Sequence, residues 1–69
     1  MKYAIIKVVN GNYFIHSEGW TDLEKAKINY ADAWKTLLNA SDVKTAEIAI
    51  FDENLAVMGY KELVSHGEN

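Results

Sequence analysis

Only one stretch of this chain repeats its apolar residues at helical spacing, and it lies between two pairs of segments whose apolar residues alternate. At about 100° per residue, Leu23, Ala26, Tyr30, Ala33, Trp34 and Leu37 form one stripe, with Leu38 at its edge. Lys25, Asn29, Asp32 and Thr36 lie opposite, and Ile28 projects from that polar side as a single exposed apolar residue. Thr21-Asp22-Leu23-Glu24 reads as a capping box with Thr21 as the N-cap. Asn39-Ala40-Ser41-Asp42 favours caps and turns over helix interior and ends the helix.

Before the helix, Lys2 to Val9 is rich in Ile, Val and Tyr, and Asn10-Gly11 suits a type I′ hairpin turn because both residues tolerate positive φ. The return strand is expected over Asn12 to Ser17, with Glu18-Gly19-Trp20 breaking the pattern. After the helix, Lys44 to Phe51 alternates again, Asp52-Glu53-Asn54 makes a tight connection, and Leu55 to Tyr60 is the fourth strand. The sequence therefore predicts an α+β domain, a two-layer ββαββ unit with one amphipathic helix packed on a four-stranded antiparallel sheet. The first and third strands hold the most β-branched apolar residues, which places them centrally in the order 2-1-3-4. Residues 1–69 are expected to form this single domain, with a flexible tail from about residue 65; Lys61 onward can finish the strand, form a helical turn or fray.

A helix of about 17 residues is roughly 26 Å long and a seven-residue strand roughly 23 Å, so one helix spans the sheet without overhang. It covers one face only. Alternation assigns Ala4, Ile6, Val8, Ile48 and Ile50 to the floor beneath the helix. The other face then carries Tyr3, Ile5, Lys7, Val9, Tyr13 and Ile15, together with Glu47, Phe51, Leu55 and Val57, which is too apolar for a surface intended only for water. At 69 residues the core is thin, and the absence of Cys removes disulfides and thiolate metal sites as staples, leaving self-association. A homodimer by sheet-on-sheet packing or edge-strand pairing is the expected answer, because a two-fold interface needs only one self-complementary patch. Its candidate residues are Tyr3, Ile5, Lys7, Tyr13, Ile15, Trp20, Glu47 and Phe51.

The residues that carry chemistry are sparse. His16-Ser17 and Ser65-His66 are adjacent pairs, and neighbouring strand residues point to opposite faces, so no nucleophile and base converge. His16 and Glu18 share a strand face but offer a metal only two ligands. Asp22 and Glu24 complement the helix N-terminus, and Asp52-Glu53 solvates a turn. Asn10-Gly11 is read as turn chemistry alone, with no Gly-rich phosphate loop anywhere. No catalytic, cofactor or metal site is expected. All seven basic residues are Lys and the net charge is −3, which argues against nucleic acid as a partner. Apolar runs are short, with Ala4-Ile5-Ile6 broken by Lys7, so a membrane span or leader is not expected and a cytoplasmic location is. Trp34 belongs to the core stripe, and Trp20 is either a staple against Leu23 or an exposed anchor.

The run from Ala33-Trp34-Lys35-Thr36-Leu37-Leu38 through Thr45-Ala46, followed by Asp52-Glu53-Asn54-Leu55 and Gly59-Tyr60-Lys61-Glu62, resembles a group of short uncharacterised bacterial proteins of Firmicutes genomes and their prophages or conjugative elements. The resemblance covers turns and core positions and implies no activity. It implies a small accessory protein that binds a host protein or a small molecule. Together these readings describe a non-enzymatic protein-interaction module, a homodimer working through its uncovered sheet face. The alternatives are a small-ligand binder with a pocket lined by Tyr3, Tyr13 and His16 at the dimer interface, or an inhibitor of a host protein that uses its acidic residues.

Overall fold

The computed structural model describes residues 1–63 and shows the expected ββαββ order. The elements are β1 (Tyr3–Val9), β2 (Asn12–Trp20), α1 (Leu23–Asn39), β3 (Ala46–Asp52) and β4 (Val57–Leu63). The sheet order is β2-β1-β3-β4 with every neighbouring pair antiparallel, and α1 packs against one face. The strand runs on through Lys61–Leu63; the expected tail from about residue 65 and the Ser65-His66 pair lie outside the described residues.

Asn10 and Gly11 make the first turn at φ 50° and 85°, the left-handed geometry that an Asn-Gly hairpin uses. Asn10 does more than turn the chain, contrary to expectation. Its Oδ1 accepts from the backbone N–H of Lys44 (2.7 Å) and Thr45 (3.2 Å), and its Nδ2 donates to the Asp42 carbonyl (3.1 Å). One amide thus ties the hairpin tip to the loop that brings the chain from α1 into β3.

The helix N-cap is Asp22, one residue later than expected: its carboxylate accepts from the Glu24 and Lys25 amides, at 2.9 and 3.3 Å. A carboxylate there also answers the positive end of the helix. Ala26, Tyr30, Ala33 and Leu37 are the buried stripe, and Ile28 is exposed. The second hairpin is wider than expected. Asp52 Oδ1 accepts from the amides of Asn54 and Ala56, Leu55 sits at φ 65°, and β4 begins only at Val57.

The sidedness of β1 is the reverse of that expected. Ile5 pairs with Ile50, Lys7 with Ile48 and Val9 with Ala46, so the odd-numbered residues of β1 share the helix-side face with the even-numbered residues of β3. Ile5, Ile48 and Ile50 are fully buried there beneath Tyr30 and Ala33, with Tyr3, Trp20, Leu23 and Trp34 packed around them. Leu37, Val43 and Ala46 continue the core at the other end of the helix, against Val9, Ala40 and Leu63. The two sets differ in bulk only at Tyr3 against Ala4, and Tyr3 packs against the core cluster under the helix. Lys7 is accommodated at the margin, its Nζ 5.9 Å from the centroid of the Phe14 ring.

Both outer strands are bulged. β2 runs unbroken to Trp20, with His16 and Gly19 as extra residues between paired positions. Gly19 sits at φ 80°, the left-handed geometry of a bulge glycine. The extra residue at His16 resets the alternation so that Ser17 faces the helix, and the extra residue at Gly19 resets it again so that Trp20 does too. There Trp20 Nε1 donates to Ser17 Oγ (2.8 Å), whose hydroxyl donates to Asn29 Oδ1 (3.1 Å). In β4, Met58 is the extra residue between Gly59, opposite Ile50, and Val57, opposite Phe51.

Candidate interaction surface

Pairing across the four strands fixes what stands on the face away from the helix, because directly opposed residues point the same way. Read from β2 to β4, one row is Glu18, Ala4, Phe51 and Val57. The central row is Ile15, Ile6, Ala49 and Tyr60. The third is Tyr13, Val8, Glu47 and Glu62. Nothing in the described chain covers these rows. Tyr13 is 80 % exposed, Ile15 62 %, Val57 57 % and Tyr60 50 %, although all stand on a sheet whose opposite side is closed.

The middle of this face is a shallow open depression of about 220 Å³, floored by Ile6, Val8 and Ala49 and walled by Tyr13, Phe51 and Tyr60. Its ionisable groups gather at one end. Glu47 and Glu62 are directly opposed on neighbouring strands, and the Tyr60 hydroxyl donates to Glu62 Oε1 at 3.3 Å. The Tyr60 hydroxyl pKa is raised, first by partial removal from water and then by repulsion from Glu47 and Glu62 and by its bond to Glu62. On the helix side Tyr30 is also raised, by burial alone. Charge is segregated by face: Glu18, Glu47 and Glu62 stand on the open side, while Lys7 and Lys61 pair with Ile48 on the helix side.

Of the residues expected at an interface, Tyr13, Ile15, Glu47 and Phe51 are together on this face. Tyr3, Ile5, Lys7 and Trp20 are not: Ile5 is fully buried under the helix, Tyr3 and Trp20 pack against the same core cluster, and Lys7 borders Phe14. Sequence reasoning put Ala4, Ile6 and Val8 on the opposite face; Ala49 falls on the face that alternation gives it beside Glu47 and Phe51, and Tyr60 was not singled out. The signal that could have placed the β1 residues is the greater bulk of Tyr3 against Ala4. The expected ligand pocket does not assemble, since Tyr3 and Tyr13 are on opposite faces and His16 is a bulge residue at the sheet edge. Among the described residues, no three His, Cys, Asp or Glu side chains gather as a metal site requires, and no helix is long and apolar enough to cross a membrane. Comparison with known proteins finds no matching family model, no matching curated protein and no matching solved structure.

Proposed function

We propose that the protein is a non-enzymatic interaction module that works in the cytoplasm as a homodimer, joined through the open face of its sheet. The observation that carries this reading is the row of Ile15, Ile6, Ala49 and Tyr60 flanked by Phe51, Val57, Val8 and Tyr13, an apolar field with no cover in the described chain. Burying such a field against a second copy removes apolar area from water and doubles the core of a small domain. Edge pairing is disfavoured by the bulges in both β2 and β4, since a bulged edge is a poor template for another strand.

A small-ligand role is the weaker reading, because a depression of about 220 Å³ is below the roughly 300 Å³ at which ligand pockets begin. Phosphate backbones are disfavoured by the three carboxylates on this face.

Sedimentation equilibrium of the wild-type chain tests the proposal. A dimer at micromolar concentration is expected, and Ile6→Lys, which places a charge in the centre of the open face, should sediment as a folded monomer with unchanged far-ultraviolet dichroism. A wild-type chain that stays monomeric at high micromolar concentration would end the proposal.

A further inference from the structure

We propose that Asn10-Gly11 is a deamidation site that the fold keeps closed, and that release of the Asn10 clamp makes it a one-way chemical switch at the hairpin tip. Asn10 is the only asparagine that precedes glycine; Asn12, Asn29, Asn39 and Asn54 precede Tyr13, Tyr30, Ala40 and Leu55. The reaction begins when the backbone nitrogen of the following residue attacks the side-chain Cγ, and a neighbour without Cβ hinders that approach least. A bond forms between the Gly11 nitrogen and Asn10 Cγ, the Cγ–Nδ2 bond breaks, and ammonia leaves with the proton that the Gly11 nitrogen gives up. Water then opens the cyclic imide at either carbonyl, giving aspartate or isoaspartate.

In the folded chain the carboxamide is held away from that path. Its Oδ1 accepts from the amides of Lys44 and Thr45 at 2.7 and 3.2 Å, and its Nδ2 donates to the Asp42 carbonyl at 3.1 Å. The backbone N–H of Asn10 donates to the Thr45 carbonyl at 2.9 Å, which sets the residue against the same loop. To reach the Gly11 nitrogen, Cγ must give up all three side-chain bonds, so the near-attack geometry is absent while the clamp is closed. The loop is itself anchored, because Val43 is buried with Leu37 and Ala46. The three bonds nonetheless lie at the surface, and such bonds open more readily than the whole domain unfolds.

The products cannot restore the clamp. Aspartate keeps an acceptor for the Lys44 and Thr45 amides but sets an oxygen, with no proton at neutral pH, where Nδ2 now meets the Asp42 carbonyl. Isoaspartate adds a methylene to the backbone of a two-residue turn whose register pairs Val9 with Asn12. The hairpin tip and the loop between α1 and β3 then lose their tie.

Wild-type protein kept at mildly alkaline pH, folded or in concentrated urea, is followed by intact mass and peptide mapping. In urea Asn10 should convert ahead of Asn12, Asn29, Asn39 and Asn54, and in the folded chain it should convert at least about tenfold more slowly than in urea. Val43→Ala, which loosens the anchored loop, should speed conversion in the folded state several-fold, whereas Asp22→Ala, at the opposite end of the helix, should leave it nearly unchanged. Where Val43→Ala does not fold, the wild-type rate below the unfolding transition decides: local opening gives a rate indifferent to low urea. Equal rates in folded and unfolded chains, equal acceleration by both variants, or a rate that climbs with urea as global unfolding does would each overturn the gate. An Asn10 that does not convert first in urea overturns the site itself. The isoaspartyl form, separated by ion exchange, should melt below the unreacted protein, and an unchanged melting temperature would overturn the switch.

Discussion

The two faces of this sheet are built from the same four strands and share nearly the same residue types, yet one is closed and the other open. On the helix side Ile5, Ile48 and Ile50 have essentially no exposure; on the other, Tyr13 and Ile15 are largely in water. Hydrophobicity alone therefore does not decide which face a helix covers. Tyr3 against Ala4 sets the two sides of β1 apart in bulk, and two bulges decide it in β2, where the extra residue His16 turns Ser17 toward the helix after Tyr13 and Ile15 have pointed away and the extra residue Gly19 does the same for Trp20.

The widest separation between the faces should come from truncating isoleucine on each. Ile50→Ala leaves a void under the helix and is expected to cost about 2–5 kcal/mol, enough to unfold much of a domain this small. Ile15→Ala, measured by urea denaturation in dilute monomer, should stay within about 0.5 kcal/mol. Its cost should grow with protein concentration if the open face is an interface. Equal losses at both positions in dilute solution would erase the distinction.

A smaller effect separates turn geometry from the clamp that Asn10 adds. Asn10→Gly keeps a backbone suited to positive φ but removes the side-chain bonds to Asp42, Lys44 and Thr45, and is expected to cost about 2 kcal/mol. A neutral result in thermal or chemical denaturation would reduce Asn10 to a turn residue. The helix cap gives a smaller contrast: Asp22→Ala should lose about 1 kcal/mol, while Thr21→Ala should change little, because the N–H groups of the first turn bond to Asp22.

These contrasts mark what the sequence could disclose. The helix, the ββαββ order and the central placement of β1 and β3 were legible because periodicity and turn residues are local signals, and they agree with one another. The sidedness of β1 was not, because Lys7 makes the odd-numbered set look solvent-facing, and only the pairing of Ile5 with Ile50 shows that its alkyl stem can lie at the margin of the core. Trp20 was illegible for a related reason: strict alternation cannot foresee bulges at His16 and Gly19, and without them Ser17, which accepts the indole N–H, would face away from the helix. The open face was anticipated as a consequence of having one helix for two faces, but its β1 residues, Ala4, Ile6 and Val8, were assigned to the wrong side.

The smallest expected effect compares the two tyrosines whose pKa values are raised, one on each face. Burial raises Tyr30, whereas Glu47 and Glu62 add repulsion and a hydrogen bond to the partial desolvation of Tyr60. Glu62→Gln should therefore lower the Tyr60 midpoint toward the ordinary value of about 10 and leave Tyr30 where it is, read by tyrosinate absorbance in a Tyr3→Phe, Tyr13→Phe background. Because folding raises both pKa values, each phenol favours the folded state while protonated: that contribution is complete below pH of about 10 and is lost as pH rises through the folded-state value. A Tyr60 midpoint that is indifferent to Glu62→Gln would leave desolvation and the repulsion of Glu47 as the causes of its shift and remove Glu62 from the account of this end of the open face.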